Sequence, residues 1–343
     1  MIKQRRLSLL LPLFAAAPLS VIACTAASEA PLEDPVDAES TEIGKGRKPR
    51  KDASAPPAVD SGTDGGTDGS TGATPPPPAT SGWPGPDNTG VPPGTTLTPS
   101  GSITASQAGA VYSGLDIVGE VTVNAPNVTF RNCRIRGNGF MLIRNNSSGL
   151  VVEDSELFNR PVAGQNNCHN AIGFGGFTVR RSEIAGCENG ADMGGGNVTF
   201  EDTYVHDLDT QGPSWVWGNE PHTDGIQMGE GAQNIVIRHN WIDPSPGGGV
   251  TSAIIMYVGA GTQNSNVRIE DNYLDGTGAS YAIYVPRHDT SNVFINRNRM
   301  LKGYGYTACV LLGKTVTTFD DNRDANTGAL IGPDNGVGGG CIY

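Results

Sequence analysis

The sequence predicts an all-β solenoid, and three observations predict it. The first is a recurring phrase. NIVIRHNWI at Asn234–Ile242 returns as NVTFRNCRI from Asn127, GLVVEDSEL from Gly149, GFTVRRSEI from Gly176, NVTFEDTYV from Asn197, NVRIEDNYL from Asn266, NVFINRNRM from Asn292 and, more weakly, VTTFDDNRD from Val316. Successive copies start 21 to 37 residues apart, a short and uneven period that marks stacked units separated by loops of variable length. The second observation is the alternation inside each copy. Its second and fourth positions are apolar (Val128/Phe130, Ile235/Ile237, Val267/Ile269), and so is its ninth (Ile135, Ile242, Leu274). A period of two puts such side chains on one face of a strand, so each copy reads as one strand ending in a turn. The third is the seventh position: Cys133, Ser155, Ser182, Thr203, then Asn240, Asn272, Asn298 and Asn322. In coils stacked about 4.8 Å apart, those asparagines lie above one another, and their amides bond along the stack.

Stacked apolar columns beside an asparagine ladder resemble the right-handed parallel β-helix of the pectate-lyase-like superfamily, over roughly Val111 to Asp324. The resemblance implies one large β-helix domain, residues 111–343, and a carbohydrate-active protein that binds and cleaves a polysaccharide. The alternative is a non-catalytic surface adhesin or glycan-binding protein on the same fold.

Taken from the N-terminus, residues 1–23 read as a secretion signal. Lys3, Arg5 and Arg6 precede the apolar run Leu7–Ile22, which is too short to span a bilayer comfortably. Val-Ile-Ala-Cys resembles the bacterial lipobox, which makes Cys24 the lipidated N-terminus and implies an exported, lipid-anchored protein at the outer membrane or cell surface. Residues 24–81, with DSGTDGGTDGSTG and PPPP, lack apolar periodicity and read as an extended tether. Residues 82–110, opening with Trp83, are expected to cap the first coil, because an uncovered solenoid end is a free sheet edge. The chain carries a net charge of −12, and removing the three signal-peptide cations makes it −15. That excludes nucleic acid as a partner. A monomer is expected, touching the membrane only through its lipid.

Between the copies lies a second set of short strands: AIGF from Ala171, GADM from Gly190, GIQM from Gly225, AIIM from Ala253, AIYV from Ala282 and ACVL from Ala308. Their third residues give an outward column of Gly173, Asp192, Gln227, Ile255, Tyr284 and Val310. This sheet is expected to floor a ligand groove, because the longest insertions, His206–Thr223 and Asp243–Thr251, enter it. The same alignment puts Cys168 and Cys187 at equivalent places on adjacent coils, a separation that suits a disulfide. Cys309–Cys341 is expected as a C-terminal staple, and Cys133 as a buried free thiol.

The chemistry candidates gather on this sheet. His222-Thr223-Asp224-Gly225 resembles the Asn-Thr-Asp-Gly motif of polygalacturonases, whose aspartate is a catalytic acid or base. It departs from that pattern in His222, in the lack of paired aspartates at SAIIMY from Ser252, and in having neither Gly-His-Gly nor Arg-Ile-Lys. Asp192, one coil away, is the partner a hydrolase needs. Its α-carbon should lie about 11 Å from that of Asp224, which lets the carboxyl tips approach the roughly 6.5–9.5 Å of an inverting pair. Asp192, Asp224 and Glu188 could instead hold Ca²⁺. For lyase chemistry Arg287 or Lys314 is the base or carbanion stabiliser, with His288 beside them. Trp215 and Trp217 suit stacking on sugar rings, and Gln227, Tyr257 and Tyr284 complete the candidate binding set.

Overall fold

The computed structural model describes residues 82–159, 168–218, 221–229, 231–244, 250–256, 263–275, 279–285, 290–301, 308–311, 316–332 and 341–342. The signal sequence, Cys24 and the tether lie outside them. The described residues form a right-handed parallel β-helix. Each coil but the last contributes one strand to each of three sheets, the last described coil to two, and strands pair in parallel with their equivalents on the neighbouring coils. Sheet 1 runs from Thr98–Ser100 to Arg323–Asp324, sheet 2 from Ile103–Ala105 to Cys341–Ile342, and sheet 3 from Val111–Ser113 to Val316–Asp320.

The repeated phrase spans two strands rather than one. In Gln233–Arg238 it belongs to sheet 3, and in Trp241–Asp243 to sheet 1. The bend between them is made by a left-handed residue at the sixth position: Asn132, Asp154, Arg181, Asp202, His239, Asp271, Arg297 and Asp321 all have φ near +50°. The first position is left-handed too, at Asn127, Gly149, Gly176, Asn197, Asn234, Asn266 and Asn292. Asn and Gly recur there because they tolerate that conformation best. The apolar second, fourth and ninth positions fill the lumen, with Phe130, Ile135, Ile237 and Leu274 wholly buried.

The seventh position forms the expected ladder. Asn272 Oδ1 accepts from both the backbone N–H and the side-chain amide of Asn240, at 3.0 Å each. Asn298 and Asn322 repeat the pattern. Each amide also donates inward to a sheet 3 carbonyl, such as Asn272 Nδ2 to Ile237 O at 2.9 Å. The ladder continues through the earlier coils on shorter side chains, where Thr203 N donates to Asn240, Cys133 N to Ser155, and Ser155 N to Ser182.

Sheet 2 has the expected register: Asp192 pairs with Gln227, Gln227 with Ile255, Ile255 with Tyr284, and Tyr284 with Val310. Cys168 and Cys187 are disulfide-bonded, with α-carbons 4.6 Å apart. Cys309 is disulfide-bonded and lies opposite Cys341 in the register, although the Cys341 side chain is outside the described residues. Cys133 is free and buried.

The N-terminal stretch departs from its expected place. Thr98–Ser100 and Ile103–Ala105 are already coil strands. The residues before them run along the flank of sheet 1 instead of covering the first coil. Trp83 packs on His239 and Tyr273, and Gly90 N donates to Arg181 O. The aromatic column Tyr204, Trp241 and Tyr273 gives Trp83 an apolar surface on that flank.

Candidate functional site

Glu188 organises the site. It is 3% exposed, at the turn from sheet 1 into sheet 2, and a carboxylate so buried must be paired. One oxygen bonds His169 Nδ1 at 3.0 Å. The other accepts from Ser214 Oγ and from His222 N, at 3.1 Å each. Ser214 Oγ in turn accepts the N–H groups of Val216 and Trp217. The long insertion is therefore fastened at both ends of its tip to one buried charge. Between the fastenings, a small hairpin closed by the Ser214–Gly218 bridge holds Trp215, Val216 and Trp217, which are 43%, 50% and 38% exposed. His222 stacks on Trp217 with ring centroids 4.5 Å apart, and Trp215 meets Phe140 edge-on.

Asp192 lies one coil from Asp224 and three residues further along the sheet, as the alignment expects, but only Asp192 reaches the surface. Asp224 is 2% exposed and is one rung of a second buried ladder at this bend. Asn189 Nδ2 donates to Asn170, Asp224 N donates to Asn189 Oδ1, and Ser252 Oγ donates to Asp224 Oδ1 at 2.6 Å. Burial raises the Asp224 pKa to about 7; the Ser252 bond opposes the rise and the charge of Glu188 adds to it. Asp192 is half-buried in the outward column, and its Oδ1 accepts from Gly194 N at 2.8 Å. Burial raises its pKa as well, against the Gly194 bond and the charge of His169. Asp192 thus keeps a partly exposed place in the outward column, whereas Asp224 is closed off from solvent.

Nor do Asp192, Asp224 and Glu188 fit calcium as they stand. The Glu188 oxygens are engaged by His169, Ser214 and His222 N, and Asp224 by Ser252. Among the described residues, no three His, Cys, Asp or Glu side chains gather as a metal-ligand group. Gln227 and Tyr284 take their places on sheet 2, with Tyr284 stacked on Tyr281. Arg287, His288, Lys314 and Tyr257 lie outside the described residues.

Sequence reasoning missed Arg144, Phe140 and Phe174. Arg144 pairs in register with Gly173, one coil before Asp192. Its guanidinium is 5.6 Å from the Phe140 ring and 6.0 Å from the Phe174 ring, within cation–π range. It makes no ion pair with any described residue. The usable signal was the extension of the AIGF column back to MLIRN at Met141, where Arg144 holds the place of Gly173.

No family model and no curated protein matches the chain. One solved structure, described as "Crystal structure of Agl-KA catalytic domain", matches at 13% identity and a TM-score of 0.31, covering 66% of this chain and 40% of that one. The chain thus spans less than half of that structure's length, and a likeness this distant carries no argument about activity.

Proposed function

We propose that this protein binds polysaccharide on the outer face of sheet 2, with Trp215 and Trp217 as its stacking platform. One observation carries the reading: the tryptophan hairpin is exposed at its tip yet fixed at both ends to buried Glu188. Ordering a loop on binding costs free energy, and a loop held beforehand avoids much of that cost. Flat aromatic rings with a polar edge suit the apolar faces and hydroxyl rims of sugars. Export fits this role, since the Cys168–Cys187 disulfide belongs to an oxidising compartment. A lipid on Cys24 would hold the face at the outer membrane or cell surface.

A second reading, cleavage, is favoured by Asp192. A carboxyl in the outward column, partly exposed and with its pKa raised by burial, suits a general acid. Asp224 serves that reading poorly because it is enclosed.

The experiment is binding and turnover by the full-length protein on a polysaccharide panel, followed by affinity electrophoresis, reducing ends and absorbance near 235 nm. Binding weakened at least about tenfold in Trp215→Ala, without reducing ends or absorbance, supports a binding protein, ~1–3 kcal/mol being the scale of such a contact. New reducing ends lost in Asp192→Asn would establish hydrolysis. Absorbance would establish a lyase. A panel that neither binds nor turns over would remove the carbohydrate reading.

A further inference from the structure

Resting on that glycan-binding reading, we infer that the bound chain crosses the solenoid along the strands of sheet 2, from the tryptophan hairpin to a notch at the turn into sheet 3, where an uncharged sugar residue stacks on Phe174. Three observations lead there.

The first is where the exposed rings lie. Among the described residues, the exposed Trp and Phe rings are Trp215, Trp217 and Phe174. The hairpin pair stands at the entry to sheet 2 and Phe174 at its exit. Phe140 and Arg144 link them: Trp215 meets Phe140 at 6.3 Å, and Arg144 lies over both Phe140 and Phe174. The strand segment from Phe140 to Asn145 is about 16 Å long at 3.3 Å per residue, so the ligand is an oligosaccharide.

The second is the notch itself. The turn from sheet 2 to sheet 3 consists of Gly175–Gly176 alone on this coil, against Asn146–Gly149 on the coil before and Met193–Asn197 on the coil after. The short turn leaves a hollow of about 510 Å³, lined among others by Asn146, Ser147, Ser148, Phe174, Thr178 and Asn197. Gly175 is needed for it, since a β-carbon there would lie 2.5 Å from the Gly195 and Gly196 backbone. The lining is two phenylalanines, Phe174 exposed and Phe177 buried, with amides, hydroxyls and backbone, and holds no ionised side chain. Those groups match the apolar face and hydroxyl edge of a neutral hexose, while Arg144 stands at the rim.

The third is that the other direction is closed. Along the solenoid axis the outward column passes from Asp192 and Gln227 to Ile255, which is only 9% exposed. In the opposite direction, the Met141 thioether fills the space over Gly173.

The test uses the full-length protein and fluorescently tagged, uncharged glucan, mannan and galactan oligosaccharides of graded length. Wild-type affinity should rise with length until the ligand reaches the notch. Phe174→Ala, and Ser148→Trp, which fills the notch from an exposed position, should stop that rise and weaken the longest ligand at least tenfold. Tyr281→Ala, which removes a ring stacked on Tyr284 further along the axial path, should leave it within twofold. The reverse pattern, with Tyr281→Ala damaging and the two notch variants silent, overturns the transverse path while leaving glycan binding intact. Failure of every oligosaccharide and of the polysaccharide panel to bind the wild type overturns both.

Discussion

Two bends of the same coil are held in opposite ways. Where sheet 3 turns into sheet 1, the same hydrogen bond is made on coil after coil, from Cys133 to Asn322. Where sheet 1 turns into sheet 2, a short ladder of Asn170, Asn189, Asp224 and Ser252 stops, and Glu188 holds the long insertion between His206 and Thr223. The first bend spreads stability over many equivalent groups. The second concentrates local order in one buried carboxylate and frees the loop above it to carry aromatic rings. A solenoid can bear such an insertion because each coil leans chiefly on its neighbours.

The largest expected effect breaks the regular bend. Asn272→Ala removes the acceptor of two Asn240 donors, and leaves Ile237 O and Asn298 Oδ1 without the amide. With each buried group left unpaired costing roughly 1–3 kcal/mol, the loss should be about 5 kcal/mol by chemical denaturation. A loss under about 1 kcal/mol would mean that the ladder merely accompanies the coil stacking.

Next comes Asp224, which tests whether the second bend is also a structural ladder. Its pKa near 7 lies above the 3.8 of a free aspartate. Between those values the folded state keeps a proton that the unfolded state has released, so stability falls as pH rises from about 4 to about 7 and is level beyond. Asp224→Asn keeps an oxygen for Ser252 and removes the titration. At about 1.4 kcal/mol per pKa unit, the variant should gain up to about 4 kcal/mol over wild type at pH 8 and nothing at pH 4, read from denaturation at both pH values. A less stable variant at pH 8 would show that the ionised carboxylate is in use, and would restore Asp224 to the catalytic reading.

Glu188→Ala addresses the feature unique to the second bend. It strands His169, which is buried, and unfastens Ser214 and His222 N. Breaking a buried pair costs about 3 kcal/mol. The sharper readout is hydrogen exchange at the Val216 and Trp217 amides, now held by Ser214 Oγ. Those amides should lose protection while the Asn240 and Asn272 amides keep theirs. Unchanged exchange at the hairpin would show that something other than Glu188 fixes it.

The legibility of the molecule follows the same division. The fold, the sheet 2 register, the ladder and the Cys168–Cys187 bridge could all be read from the sequence, because a contact repeated on every coil leaves a repeated letter. The site was legible only in part. Trp215 and Trp217 stood out as an exposed pair in a long insertion. Glu188 looked like a spare acid, since its partners come from His169, Ser214 and His222, at unrelated distances along the chain. Asp224 looked like a catalyst because Asp-Gly before a strand resembles a known motif. Its role as a rung shows only when Asn170, Asn189 and Ser252 are aligned beneath and above it. Arg144 escaped because its significance comes from Phe140 and Phe174, which flank it across two coils.

The smallest effect refines the regular bend. Ser155 holds the same rung position as Asn272 with a shorter side chain. Its hydroxyl accepts from Cys133 N and donates to Glu153 O, and it spans no further. Ser155→Ala should therefore cost about 1–2 kcal/mol, one orphaned backbone N–H, against about 5 for Asn272→Ala. The reason is geometric. A serine satisfies its own coil and one neighbour, whereas an asparagine reaches the amide above, the amide below and a carbonyl inside the bend. Equal losses at the two positions would mean that the ladder's worth lies in backbone geometry, and that the change from Ser and Thr to Asn along the axis is without energetic consequence.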